Sequence, residues 1–194
     1  MQESHINELL NLMKKGRSEN ERIMAVLDLG EATGERVVKA LAKQLEVETS
    51  RVVQEAIVSS LIKIGDKYVA ESAAEFLKSD DAYIRNAGVE ILSVIGDSAL
   101  EVLEKMIKYP DKDVRQLAVN AVGESNLKKS PMLLRKVIEE DEEENVVAAA
   151  IEYLGEIGSS EEDRKVIMQA ASRFSSPFFD YTVKIALKKL AESK

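Results

Sequence analysis

A stretch resembling Val-Arg-x-x-Ala-Val-x-x-Leu-Gly-x-Ile-Gly recurs along most of the chain at a spacing of about thirty residues. No other feature constrains the fold as much, because a unit of that length cannot bury its apolar face alone and must stack on its neighbours. The clearest copies are Ile84-Arg85 running to Ile95-Gly96-Asp97, Val114-Arg115 running to Val122-Gly123, and Val146-Val147 running to Leu154-Gly155-Glu156-Ile157-Gly158. More diverged copies precede them. One carries Arg22, Ala25, Val26, Leu29, Gly30 and Gly34, and the next carries Val53, Ile57, Val58, Leu61, Ile64, Gly65 and Asp66.

Within each copy a first segment has apolar residues at helical spacing, followed by a glycine-containing turn, a second helical segment and a polar turn into the next copy. In the third copy Ile84, Val89, Ile91, Leu92 and Ile95 mark the inner face of the first helix, and Gly96 supplies the permissive turn. Asp97 is expected to open the second helix, with Leu100, Leu103 and Ile107 inward. Hydrophobic residues make up 45% of the chain but aromatics only 5%, which suits helices packed through Ala, Val, Ile and Leu. Ser18 with Glu21, and Ser159 with Glu162, have capping-box spacing, and Ser130-Pro131 and Ser176-Pro177 place proline at the first helical position. Gly88 sits inside a helix where the other copies hold Ile57, Ala118 and Ala150, and is read as a point of close helix approach.

The ends depart from the pattern, as the capping units of an array must, since one face of each has no neighbour. His5 to Lys15 reads as a lone second helix presenting Ile6, Leu9, Leu10 and Met13, and Phe178 to Leu190 as an unpaired first helix presenting Val183, Ile185, Ala186 and Leu190. The expected architecture is all-α, a right-handed α-α superhelix of about five helical hairpins with half-repeat caps and no separate domains. Residues 1–17 form one cap, 18–47, 48–79, 80–110, 111–142 and 143–173 the repeats, and 174–194 the other cap.

The Val-Arg-x-x-Ala core, the Ile-Gly-Asp turn and the paired helices resemble HEAT repeats, particularly the short HEAT-like repeats named after phycobilisome lyase subunits. The resemblance covers nearly the whole chain. It implies an α solenoid in which the arginine after the hydrophobic residue joins an acidic ladder between repeats. Arg22, Arg85 and Arg115 match that arginine, whereas Gln54 and Val147 stand in its place, so the ladder should be interrupted. For function the resemblance is broad, since the same solenoid serves scaffolds, lyase subunits, hydroxylases and DNA-repair enzymes. The hydroxylases use several His-Glu pairs to bind iron, and this chain has one histidine, His5.

Composition removes further classes. With no cysteine there is no disulfide, thiolate nucleophile or cysteine-ligated metal. The formal net charge of −8 argues against general affinity for phosphate backbones, and the near absence of aromatics on the second helices argues against base stacking. No leader or membrane span is legible, so a cytoplasmic protein with no membrane partner is expected. Serine triads lack a histidine, and the dispersed glycines form no phosphate loop. The chain is therefore read as a non-enzyme without cofactor or metal.

Three constellations remain as candidate sites. Glu139, Glu140, Asp141, Glu142, Glu143 and Glu144 form the longest charge run, either a solvated loop leading into a helix or a dock for a cation or basic partner. Phe174, Phe178, Phe179 and Tyr181 gather four of nine aromatics where the repeat breaks, either closing the end of the core or docking a partner. The third is the solvent-facing row on successive second helices, which the resemblance places on the concave surface. It runs through Lys39 and Lys43, then Glu71 and Glu75, then Glu101, Glu104, Lys105 and Lys108, then Arg135 and Glu139. The expected function is a protein-binding scaffold or adaptor. The alternative is an accessory subunit of a lyase-like enzyme that binds a tetrapyrrole or other prosthetic group.

Overall fold

The computed structural model describes residues 2–192. Among the described residues it is entirely helical, with twelve α-helices, one short 3-10 turn and no strand. The chain divides into two compact units, 1–99 and 100–194.

The first unit contains α1 (Glu3–Lys15), α2 (Glu19–Leu29), α3 (Glu35–Val47), α4 (Arg51–Ile64), α5 (Lys67–Phe76) and α6 (Ala82–Val94), and ends in the 3-10 turn Gly96–Ala99. Local chemistry sets several of these starts. The Ser18 hydroxyl accepts the Glu21 amide, Asp66 accepts the amides of Tyr68 and Val69, and Asp81 accepts those of Tyr83 and Ile84. Each such bond satisfies a first-turn donor with no partner inside its helix. Glu21 completes only part of the expected box, since its carboxylate turns to the Arg17 amide at 2.6 Å. First helices stack on first helices, α2 on α4 and α4 on α6, while α3 packs on α5 and closes against α4. Helix α1 packs on α2 and α3, which is the place of a second helix without its first. It seals that layer through Leu9 and Met13, whereas Ile6 and Leu10 remain partly exposed.

Gly88 has the role expected from its place in the pattern. A Cβ there would lie 2.8 Å from the Ala73 carbonyl oxygen and 3.0 Å from Phe76 Cβ, so the missing side chain lets α6 approach the backbone of α5.

The second unit contains α7 (Leu100–Met106), α8 (Lys112–Glu124), α9 (Ser130–Glu140), α10 (Glu144–Ile157), α11 (Glu161–Ala170) and α12 (Pro177–Glu192). Here α8 packs on α10 and α10 on α12, and α9 packs on α11. Four features differ from the sequence reading. The α-helix of the third copy begins at Leu100 and not at Asp97, because residues 96–99 wind into the tighter 3-10 turn, and Leu100 stays half-buried while Leu103 and Ile107 are in the core. The box before α11 is formed by Ser160 and Asp163, one residue later than the Ser159–Glu162 spacing. Asp163 is short enough to turn back onto the amides of Ser159 and Ser160, at 3.0 and 2.8 Å, while the Ser160 hydroxyl takes the Asp163 amide. Pro131 is the second residue of α9, behind the capping position of Lys129, whereas Pro177 does open α12.

The fourth concerns Gly123 and Gly155, which lie inside α8 and α10 and not in turns. Gly123 is the seat of an aromatic ring: a Cβ there would lie 2.1 Å from Cγ of Tyr153 on α10.

The arginine ladder is interrupted, yet a second regularity runs beneath it. Arg22, Gln54, Arg85 and Arg115 each donate to the backbone carbonyl six residues earlier, at Gly16, Glu48, Ser79 and Tyr109. These carbonyls belong to the turns between repeats, and each would otherwise lack a helical partner. Arg22 and Arg115 also clasp the carboxylate at the C-terminal end of the next helix. Arg22 reaches both oxygens of Glu48 at 3.2 Å, and Arg115 reaches those of Asp141 at 2.6 and 3.0 Å. Val147 is fully buried and cannot donate, and the Asp141 carbonyl is served instead by Arg173, which also binds the Ile138 carbonyl. A basic residue at the far end of the same repeat thus replaces the missing donor.

Candidate functional site

The second helices of the second unit do not pack evenly. Helix α9 lies directly on α11, but α7 has no comparable packing with α9, having only seven residues after its tight opening turn. An open groove of about 650 Å³ results, lined by Glu101, Glu104 and Lys105 from α7, Met132, Arg135 and Glu139 from α9, and Glu162 from α11, among others. Five of the residues expected to face a partner, Glu101, Glu104, Lys105, Arg135 and Glu139, come together here.

Ion pairs sort this lining. Lys105 bonds Glu101 at 2.7 Å, one helical turn away, and Lys108, just beyond α7, bonds Glu140 at 2.9 Å. The bond to Glu140 holds the Lys108 ammonium above its ordinary range. Arg135 is largely covered, and its guanidinium is held by Asp163, with Glu162 further off at 3.6 Å. It is therefore a strut between α9 and α11, not a free contact for a partner, which corrects its place in the exposed row. Burial pushes the Asp163 carboxyl up, but bonds from Ser160, Arg135 and Ser159 outweigh it and leave its pKa depressed. Glu104 meets Lys129 only at 3.9 Å, and Glu139 has no ion pair among the described residues. The apolar centre is Met132, which is 45% exposed at the start of α9.

Glu71 and Glu75 stand exposed on α5 in the first unit, where Glu75 pairs with Lys78, and neither lines this groove. Lys39 and Lys43 are exposed on α3, with Lys39 bonded to Glu35 at 2.5 Å.

The acidic run does not behave as one patch. Asp141 is buried and clasped by Arg115, Glu140 is tied to Lys108, Glu143 occupies the position before α10 without a side-chain capping bond, and Glu144 begins that helix and accepts the Ser176 hydroxyl. Burial alone would raise the Asp141 carboxyl, but the Arg115 guanidinium and the Glu143 amide depress it overall. Among the described residues no cluster of three His, Asp or Glu side chains is arranged to hold a metal ion, and His5 meets Glu8 at 3.6 Å on an exposed turn.

The C-terminal aromatics divide. Phe179 is 0% exposed and packs edge-on against Phe174 with ring centroids 4.9 Å apart, whereas Phe178 is 56% exposed. Of the two roles open to the cluster, docking is ruled out for Phe179, a candidate partner contact that instead closes the core, because consecutive helical positions point about 100° apart and only one can enter it. Phe178 and Tyr181 instead border a shallow cavity of about 150 Å³ along α12. Sequence reasoning missed Asp163, Arg173 and Met132. The first two are recognisable only from partners about thirty residues away, and Met132 looks like part of the apolar stripe of α9, whose buried residues Leu133, Leu134, Val137 and Ile138 begin just after it.

No helix among the described residues is long and apolar enough to cross a membrane. No curated protein sequence matches the chain significantly. Among solved structures, the chain resembles Cex1p with a TM-score of 0.50 at 14% identity, covering 97% of this chain and 43% of that one. An archaeal HEAT-like repeat protein from Thermococcus onnurineus has a TM-score of 0.45 at 15% identity, covering 96% and 87% of the two chains. The CpcE–CpcF complex of phycocyanin lyase from Nostoc has a TM-score of 0.41 at 22% identity, covering 100% and 77%. The family model for HEAT repeats matches residues 6–93, 41–121 and 100–188. The chain therefore belongs to the HEAT-repeat family.

Proposed function

We propose that the chain is a non-catalytic, cytoplasmic scaffold or adaptor that binds another protein across the α7–α9–α11 groove. The observation that carries this reading is the groove itself, where a gap between second helices leaves Met132 uncovered among charged side chains. An exposed apolar centre with a polar rim is the anatomy of a protein interface. Its walls are packed helices, so little ordering cost is expected on binding. The acidic balance of the chain disfavours a nucleic-acid partner.

The test is affinity capture from native lysate with mass spectrometry, comparing wild type, a Glu104→Lys/Glu139→Lys variant and Phe178→Ala, each shown by circular dichroism to remain folded. A partner lost only from the groove variant supports the reading. One lost only from Phe178→Ala moves the interface to α12, and capture of nothing specific by wild type removes the adaptor role. Adding bilin in parallel addresses the lyase-accessory alternative, which requires the pigment's absorption band to shift.

A further inference from the structure

The groove lining also points to the chemistry of its occupant, an inference that rests on the groove being the binding surface. Lys105 is bonded to Glu101, and Arg135 is committed to Asp163. Glu104 retains only a contact at 3.9 Å, Glu162 only the outer side of Arg135 at 3.6 Å, and Glu139 has no ion pair among the described residues. These three carboxylates stand one on each of α7, α9 and α11, and Lys136 is the one lining cation for which no carboxylate partner is seen among the described residues. The excess is negative, and it surrounds an apolar floor of Met132, Leu133 and Ile107. Packed helices such as α9 and α11 are about 8–10 Å apart, and an extended chain advances about 3.3 Å per residue, so an extended segment passes from α9 to α11 in about three residues.

We infer that the groove binds an extended segment of a partner protein that carries an apolar side chain flanked by lysine or arginine. The apolar residue rests on Met132 and Leu133, and the flanking cations reach Glu104 and Glu162 on the two sides, with Glu139 further along α9. Lysine and arginine suit this rim because their apolar stems lie along the floor while their heads meet carboxylates. An acidic segment would confront carboxylates on all three helices and find few cations not already held.

Selection of a phage-displayed random dodecapeptide library on the full chain tests this, with enriched peptides measured by fluorescence anisotropy against wild type, Glu104→Lys/Glu139→Lys and Met132→Asp. The expected pool is basic-apolar, with affinity at least about tenfold weaker in the charge-reversed variant and falling as salt rises. An acidic or neutral pool that still depends on Met132 overturns the basic chemistry and leaves the groove as the binding surface. A pool indifferent to both variants, or no enrichment, overturns the chemistry and the groove together.

Discussion

Replacing Gly123 with alanine sets two effects of opposite sign against each other. Alanine is favoured over glycine in a helix interior by about 1 kcal/mol, so α8 considered alone gains stability. Within the second unit, however, the new Cβ falls 2.1, 2.2 and 2.5 Å from Cγ, Cδ1 and Cδ2 of Tyr153. Carbon atoms in contact sit about 3.5–4.0 Å apart, so the ring must withdraw by roughly 1.4 Å. These atoms are at the root of the ring, so the movement takes the whole side chain from its seat and strains the bond of its hydroxyl to Glu124, 3.1 Å in the native protein. Overpacking of this kind costs about 1–3 kcal/mol. Offset by the helix gain, Gly123→Ala should destabilise the protein by up to about 2 kcal/mol. In a Tyr153→Ala background the obstruction is gone, and the same substitution should stabilise by up to about 1 kcal/mol. Urea denaturation followed by far-ultraviolet circular dichroism on the four proteins of the cycle reads the coupling, with the slopes compared to confirm equal cooperativity. A Gly123→Ala protein more stable than wild type, or a change of the same sign in both backgrounds, refutes the reasoning.

Asp141→Asn leaves the Arg115 guanidinium without its counter-charge in a largely buried setting, and should cost about 3 kcal/mol in urea denaturation. Glu48, Asp141 and Asp163 all have carboxyl pKa values depressed in the folded state. Their contribution is thus complete above the unfolded carboxylate value near pH 4 and is lost as pH falls through the folded values, so the melting temperature should drop below about pH 4, and less steeply in Asp141→Asn. Leu103→Asp places a charge at a fully buried position and should destabilise by more than about 4 kcal/mol, seen as loss of cooperative unfolding at ambient temperature. Phe179→Ala should cost about 3–5 kcal/mol, and Phe178→Ala less than about 0.5 kcal/mol, by thermal melting.

The element order is legible in the sequence alone, because it follows from the thirty-residue period and from caps that act over a few residues each. Ser18 marks the start of α2, and the pairing of Phe178 to Leu190 with the preceding first helix follows from repetition alone. The candidate row on the second helices was legible as a set of exposed positions, but its chemistry was not. Arg135 reads like its neighbour Lys136, and only the placement of Asp163 on α11 turns it into a strut. Phe178 and Phe179 are adjacent and alike in composition, and one rotation step on α12 sends the second into the core while the first stays outside.

The sequence by itself determined the helical-hairpin class, the number of repeats and the lone helices at either end, since these follow from apolar periodicity and local capping. Only the tertiary structure decided which arginines find a carboxylate, that Tyr153 rests on Gly123, and that a groove opens beside α7. Those outcomes depend on distances between side chains about thirty positions apart. The 3-10 turn before Leu100 leaves α7 only seven residues long, and a pattern of residue types does not encode differences that small.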